Sequence, residues 1–173
     1  DEDLKTTNTE VFIQCVGSRI PERPYCSKVC CTQSIRNALK LKSINPEMKV
    51  FILYRDMRPF GLREDLYTEA RTKGIQFIKF DFKKELEVSS KEDHLQVLFC
   101  DTSLRRKMKI TTNLIVLASA IVPEKRNKLA ALYKATQNAD GFFMEAHAKL
   151  RPVDCATDGV FICGLAHAPK PID

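Results

Sequence analysis

Four of the chain's seven cysteines, Cys15, Cys26, Cys30 and Cys31, fall in one stretch, Gln14 to Arg36, reading QCVGSRIPERPYCSKVCCTQSIR. Thiols this dense can bind a metal, hold an iron–sulfur cluster or exchange with a disulfide. A helix beginning near Ser27 is expected to set Cys26 and Cys30 on one side at i, i+4 spacing, with Cys31 one step around. Gly17, Pro21 and Pro24 punctuate the segment between Cys15 and Cys26, as a loop folding back to deliver a fourth sulfur would require. A helix N-terminus favours thiolates, and Arg19, Arg23 and Lys28 add positive charge. Neighbouring side chains on one helical turn diverge, which suits the spread irons of a cubane better than a single tetrahedral zinc. A zinc knot, a disulfide pair and a buried apolar cluster stay open as alternatives on spacing alone.

The elements that must position these residues alternate strand and helix. Glu10–Val16 reads as a first strand, and Ser27–Lys42 as a helix capped by Ser27 and stopped at Asn45-Pro46. Lys49–Tyr54 (KVFILY) is almost uniformly apolar, as a parallel strand covered on both faces would be. Leu62–Lys73 is expected to be helical and closed by Gly74, and Ile75–Phe80 to be a third strand. Leu95–Cys100 and Lys107–Thr111 read as antiparallel strands joined by a basic turn at Ser103–Arg106. Leu114–Ala118 reads as a buried strand rejoining the main sheet, and Glu124–Ala135 as a helix. Near the end, Thr157-Asp158-Gly159 is expected to turn into a short buried strand, Val160–Cys163, stopping at Gly164. The fold class is therefore α/β, a Rossmann-like unit with a parallel central sheet and an antiparallel β-meander.

Four runs, VFIQCVGSR, PYCSKVCCTQSIRNALKLK, VFILYRDMRPFGLREDLYTEARTKG and EAHAKLRPVDCATDGVFICGLAHAPK, together closely resemble the A subunit of heterodisulfide reductases. The resemblance extends from about Val11 to Asp173 and covers the thioredoxin-reductase-like flavoprotein region of that family. It implies that Cys15, Cys26, Cys30 and Cys31 ligate a [4Fe-4S] cluster beside a flavin, FAD in the full-length protein. It also implies a flavin wall at Gly164, Leu165, Ala166 and His167. Arg36 stands where the family usually carries a lysine near the flavin ring; a guanidinium keeps the charge but not the shape or the exchangeable proton. On the resemblance, residues 1–139 form a degenerate NAD(P)-binding-like domain of the pyridine-nucleotide-disulfide oxidoreductase type, and 140–173 a return segment toward the FAD-binding domain. The implied partners are other heterodisulfide reductase-like subunits and electron-transfer iron–sulfur proteins.

Two departures sharpen that expectation. The turn after the first strand should read G-x-G-x-x-G for a dinucleotide, yet Cys15-Val16-Gly17-Ser18-Arg19 occupies it, so no ordinary NAD(P)H site is expected. The flavin-domain glycine motif is also absent from the sequence, which points to a piece of a longer flavoprotein or to a separately encoded one. The expected role is an electron-transfer module of an oxidoreductase, with catalysis requiring the rest of the flavoprotein. The competing readings are a zinc or structural-cysteine module for complex assembly and a dithiol/disulfide oxidoreductase.

Composition limits the function classes. The balance of 28 Lys+Arg against 22 Asp+Glu gives +6, spread along the chain without the aromatic-studded basic patch that nucleic-acid binding requires. The longest apolar run, Leu114–Val122, is too short to span a bilayer, and no signal peptide opens the sequence. Clustered cysteines, odd in number, argue for a reducing compartment, with the cytoplasm as the expectation. Cys100 and Cys163 are expected to be buried apolar residues, Cys155 has no assigned role, and His167 is a better functional candidate than His147 or the exposed His94.

Overall fold

The computed structural model describes residues 2–84, 86–91, 94–124 and 128–172. Its secondary structure runs α1 (Glu2–Thr6), β1 (Thr9–Val16), α2 (Cys30–Ile44), β2 (Lys49–Tyr54), a 3-10 turn (Gly61–Arg63), α3 (Glu64–Thr72) and β3 (Gln76–Lys79). Then follow β4 (Glu87–Lys91), β5 (His94–Asp101), β6 (Arg106–Thr112), β7 (Leu114–Ser119), α4 (Lys128–Leu132) and a 3-10 turn at Gly164–Ala166. Chain contacts divide these elements into two units. The first holds the chain up to Val16 together with Cys30–Ser119, and the second holds Gly17–Val29 with Ala120 onward.

The first unit is built on a parallel sheet of order β3-β2-β1-β7 and an antiparallel sheet β4-β5-β6. That is the 3-2-1-4 strand order of a Rossmann-type unit, with the meander inserted before the fourth strand. Alternation along β1 separates two cores. Phe12, with Val50 and Ile52 on β2, packs against Ile35, Ala38 and Leu39 of α2. Val11 and Ile13, with Leu53, pack on the opposite face against Val97 and Phe99 of β5. Both faces of the sheet are thus covered, which is why β1 and β2 carry apolar residues at successive positions.

Several boundaries differ from expectation for identifiable reasons. The helix expected from Ser27 begins at Cys30, because Ser27 is fully buried and its Oγ accepts the Ile121 N–H at 3.0 Å instead of capping α2. Leu62–Lys73 divides into a 3-10 turn and α3, and Gly74, in the left-handed region at φ +77°, donates its N–H to the Arg71 carbonyl to close the helix. The meander gains β4, a fully exposed strand whose sequence EVSSK carries no apolar alternation. Leu114–Ser119 does join the parallel sheet, but at its edge, so Leu117 stays exposed rather than buried. Of the helix expected over Glu124–Ala135, Lys128–Leu132 is helical, and 125–127 lie outside the described residues.

The second unit has little regular structure. A core of Ala135, Cys155 and Ile162, supported by Phe143 and Val160, is tied by isolated bridges such as Asp154 to Phe161. Val160–Cys163 is therefore not a strand. Its pairing is limited to the bridge between Phe161 and Asp154, flanked by bonds from the Ile162 N–H to the Val153 carbonyl and from the Cys155 N–H to the Val160 carbonyl, and Phe161 and Cys163 are exposed. That corrects the expected burial of Cys163, whereas Cys100 on β5 is buried as anticipated. No helix among the described residues is long and apolar enough to cross a membrane.

Candidate cysteine centre and glycine turn

Each cysteine of the first stretch is set by a distinct backbone device. Cys15 sits near the end of β1, where the pairing with β7 slips register between Ile13 and Val16, and its φ is +62°. The bulge takes Cys15 out of the strict in-and-out alternation of the strand. Cys30 and Cys31 are the first two residues of α2, whose first turn carries no acidic residue. Cys31 is buried, and its Sγ–H lies 3.8 Å from the Asp56 carbonyl oxygen, while Cys30 is half-buried.

Cys26 belongs to the second unit, not to a helix shared with Cys30, which corrects the expected i, i+4 arrangement. Its Sγ accepts the Lys28 N–H at 3.3 Å, with Lys28 at φ +60°. The residues on either side of Cys26 are both tied to Ile121: the Tyr25 hydroxyl donates to the Ile121 carbonyl at 3.1 Å, and the Ile121 N–H donates to Ser27 Oγ. Tyr25 also meets Phe142 edge-on, with ring centroids 5.3 Å apart. Arg23 Nε donates to the Gly17 carbonyl, and the Arg19 N–H to the Tyr25 carbonyl, closing the loop on itself. Replacing Ser27 by Ala leaves the Ile121 N–H without its acceptor. The expected result is a loss of about 1–3 kcal/mol of stability in urea denaturation, against little change for Ser43→Ala on the exposed side of α2.

Backbone strain concentrates here. Of five described non-glycine residues with left-handed φ, three, Cys15, Arg19 and Lys28, lie in this stretch. Such residues cost free energy and persist where the surroundings impose them, often at functional sites. Two buried polar atoms next to the cysteines in sequence have no hydrogen-bond partner: Gln14 Oε1, although Gln14 Nε2 donates to Ser34 Oγ at 2.6 Å, and Thr32 Oγ1. All seven cysteines are thiols. An all-thiol donor set, with an unused hydroxyl at Thr32 beside it in sequence, is chemistry an iron–sulfur cluster accepts. Among the described residues no three His, Cys, Asp or Glu side chains stand close enough to close on one ion.

The expected flavin wall lies in the second unit, and Arg36, exposed on α2, lies in the first. Cys163 is extended, and Gly164 follows at φ +56° with no atom within 4 Å of the place a Cβ would occupy. Gly164, Leu165 and Ala166 are exposed, so this turn offers bare backbone to a ligand. His167 is the best anchored of the three histidines. Lys170 Nζ donates to its Nδ1 at 2.7 Å, so Nε2 carries the proton and donates to Glu145 Oε2 at 2.6 Å. The Glu145 carboxyl is held below its ordinary range by its own backbone N–H first and by His167 next. Sequence reasoning singles out His167 but neither partner: Glu145 lies 22 residues away and leaves no local spacing signal, and Lys170, three residues on, reads as one more basic residue of the tail. His147 Nδ1 instead accepts the backbone N–H groups of Lys149 and Leu150, a turn-forming role.

No family profile matches the chain. Over 167 residues it is 36% identical to the A subunit of ferredoxin:CoB-CoM heterodisulfide reductase of Methanosarcina acetivorans, an alignment spanning 94% of this chain and 20% of that protein. It is 41% identical to the A subunit of H(2):CoB-CoM heterodisulfide,ferredoxin reductase of Methanothermobacter thermautotrophicus, over 93% of this chain and 25% of that one. The chain thus spans about a fifth to a quarter of the length of these curated relatives. Among solved structures, the fold is similar to thioredoxin reductase of T. acidophilum (TM-score 0.61, 11% identity, 96% of this chain and 46% of that one). It is also similar to the HOCl-induced flavoprotein disulfide reductase RclA of Escherichia coli (TM-score 0.58, 14% identity, 92% and 31%).

Proposed function

Since this chain is homologous to a segment of the A subunits of heterodisulfide reductases, we propose that it is an electron-transfer module whose Cys15, Cys26, Cys30 and Cys31 hold a [4Fe-4S] cluster. The single observation that carries the reading is the concentration of left-handed, non-glycine backbone at Cys15, Arg19 and Lys28. Backbone held against its own preferences beside these thiols supports a functional site there, and thiolates are the ligands an iron–sulfur cluster takes. When bound, the cluster would supply one-electron chemistry. The chain's own residues would do the holding: Cys15 from the bulge of β1, Cys30 and Cys31 from the first turn of α2, and Cys26 from the segment that Tyr25 and Ser27 tie to Ile121.

In the full-length protein, Gly164, Leu165, Ala166 and His167 would form a wall against FAD, with Arg36 as a further cofactor contact. His167, its Nε2 proton shared with Glu145, would offer a fixed hydrogen-bonding edge there. The partners would be further subunits of a cytoplasmic complex, since the relatives are themselves named as subunits. Relay of electrons between flavin and cluster is the plainest assignment for such a module.

Anaerobic reconstitution of the chain with ferrous iron and sulfide tests this. The expected product is brown, with a broad charge-transfer absorbance and an EPR signal on reduction. Colourless protein that takes up zinc would replace the reading with a structural-cysteine module. Reversible loss of titratable thiols without metal would replace it with a dithiol/disulfide function.

A further inference from the structure

A second site lies inside the first unit, on the helix-bearing face of the parallel sheet, and no cysteine lines it. A cleft of about 350 Å³ opens between α2 and the edge strand β7. Its walls are mainly apolar: Phe12 on β1, Leu41 and Ile44 on α2, Leu114 and Val116 on β7. This follows from register and period. Leu41 and Ile44 are about one helical turn apart, and Leu114 and Val116 share one side of their strand.

Into this surround projects one carboxyl. Glu10, paired in the sheet between Val50 and Leu114, is 2% exposed, and its Oε2 is buried without a hydrogen-bond partner. No cation among the described residues pairs with it; Lys40, which lines the cleft with Asn37, is exposed. An unpaired carboxyl in an apolar pocket is costly, and a structure retains such a group at low cost only when something else completes it.

We propose that this cleft binds a small protonated amine bearing an apolar tail, with the ammonium on Glu10 and the tail between α2 and β7. The volume falls in the range of small-ligand sites, and a lining of apolar side chains with few convergent polar groups is their usual composition. A bare metal ion is a poor occupant, because a single carboxylate amid aliphatic carbon leaves most of its coordination sphere unfilled. An anion would meet the carboxyl itself. An ammonium with a hydrocarbon chain satisfies both halves of the cleft, forming a charge-assisted hydrogen bond and burying apolar area.

The test uses the 173-residue chain and three probes of equal length, n-hexylammonium, n-hexanol and hexanoate, at a pH above the Glu10 midpoint of about 7. Binding is read by NMR shift changes and by thermal stabilisation. The expected result is saturable binding of hexylammonium with shifts confined to β1, α2, β7 and α1, whose Leu4 also lines the cleft. Hexanol should bind at least about tenfold more weakly, as loss of one charge-assisted bond implies, and hexanoate more weakly still. Glu10→Gln, which keeps size and shape, should remove the preference for ammonium over alcohol while leaving the fold intact by amide spectrum. Leu114→Trp, at a partly exposed rim position, should block all three probes. Equal affinity for the amine and the alcohol, no saturable binding, or an unchanged preference in Glu10→Gln would each overturn the proposal. None of these outcomes touches the iron–sulfur reading, whose test is metal uptake at other residues.

Discussion

Cys30→Ser is expected to abolish most of the reconstituted iron and sulfide and to quench or reshape the EPR signal. Cys30 opens α2, where unsatisfied N–H groups and the positive end of the helix favour a thiolate. A serine hydroxyl at the same place remains protonated at ordinary pH and is a poor ligand for iron, so one corner of the cluster would be lost. The matched control is Cys163→Ser. Cys163 is exposed and outside the proposed ligand set, so its variant should keep both colour and spectrum. Iron and sulfide analysis beside the spectra decides the matter: an unchanged cluster in Cys30→Ser would remove that residue from the ligand set.

Glu10 gives the second large effect. Burial pushes its carboxyl from 4.5 to about 7. A folded-state pKa above the unfolded value means that the native chain holds a proton which the unfolded chain releases. The associated stability is complete below about pH 4.5, falls as pH rises, and is fully lost above about 7. The loss amounts to about 3 kcal/mol. Glu10→Gln stays uncharged throughout, so its stability relative to the parent should grow by that amount across the window in denaturant titrations at several pH values. A difference between parent and variant that does not change with pH would mean that the carboxyl is not desolvated in the native state.

Much of the fold is legible in the residues, and the reasons are local. KVFILY marks β2 to the residue, because a strand covered on both faces has few polar positions to blur its ends. The alternation of strands and helices yields the Rossmann-like order, and Asn45-Pro46 and Gly74 mark helix ends through their own backbone preferences. β4 leaves no such mark because it pairs on one side only and buries nothing. The false strand at Val160–Cys163 shows the converse: apolar residues with high strand propensity yield only an isolated bridge, Phe161 to Asp154, where the pairing runs no further.

The cysteine site is legible in composition but not in geometry. Spacing argues for a helix through Cys26, whereas a hydrogen bond from Ile121, far along the chain, holds Ser27 out of α2. The left-handed turns at Cys15, Arg19 and Lys28 carry no sequence mark, because none of the three is glycine, asparagine or aspartate. Glu10 gives no signal either. A glutamate before three apolar residues reads as a strand's solvated end until the sheet places it against α2.

The two cores of the first unit are made of aliphatic and aromatic side chains, and none of Cys15, Cys26, Cys30 or Cys31 belongs to either. Loss of a group held on those thiols would therefore leave the packing of the first unit's sheet and helices in place.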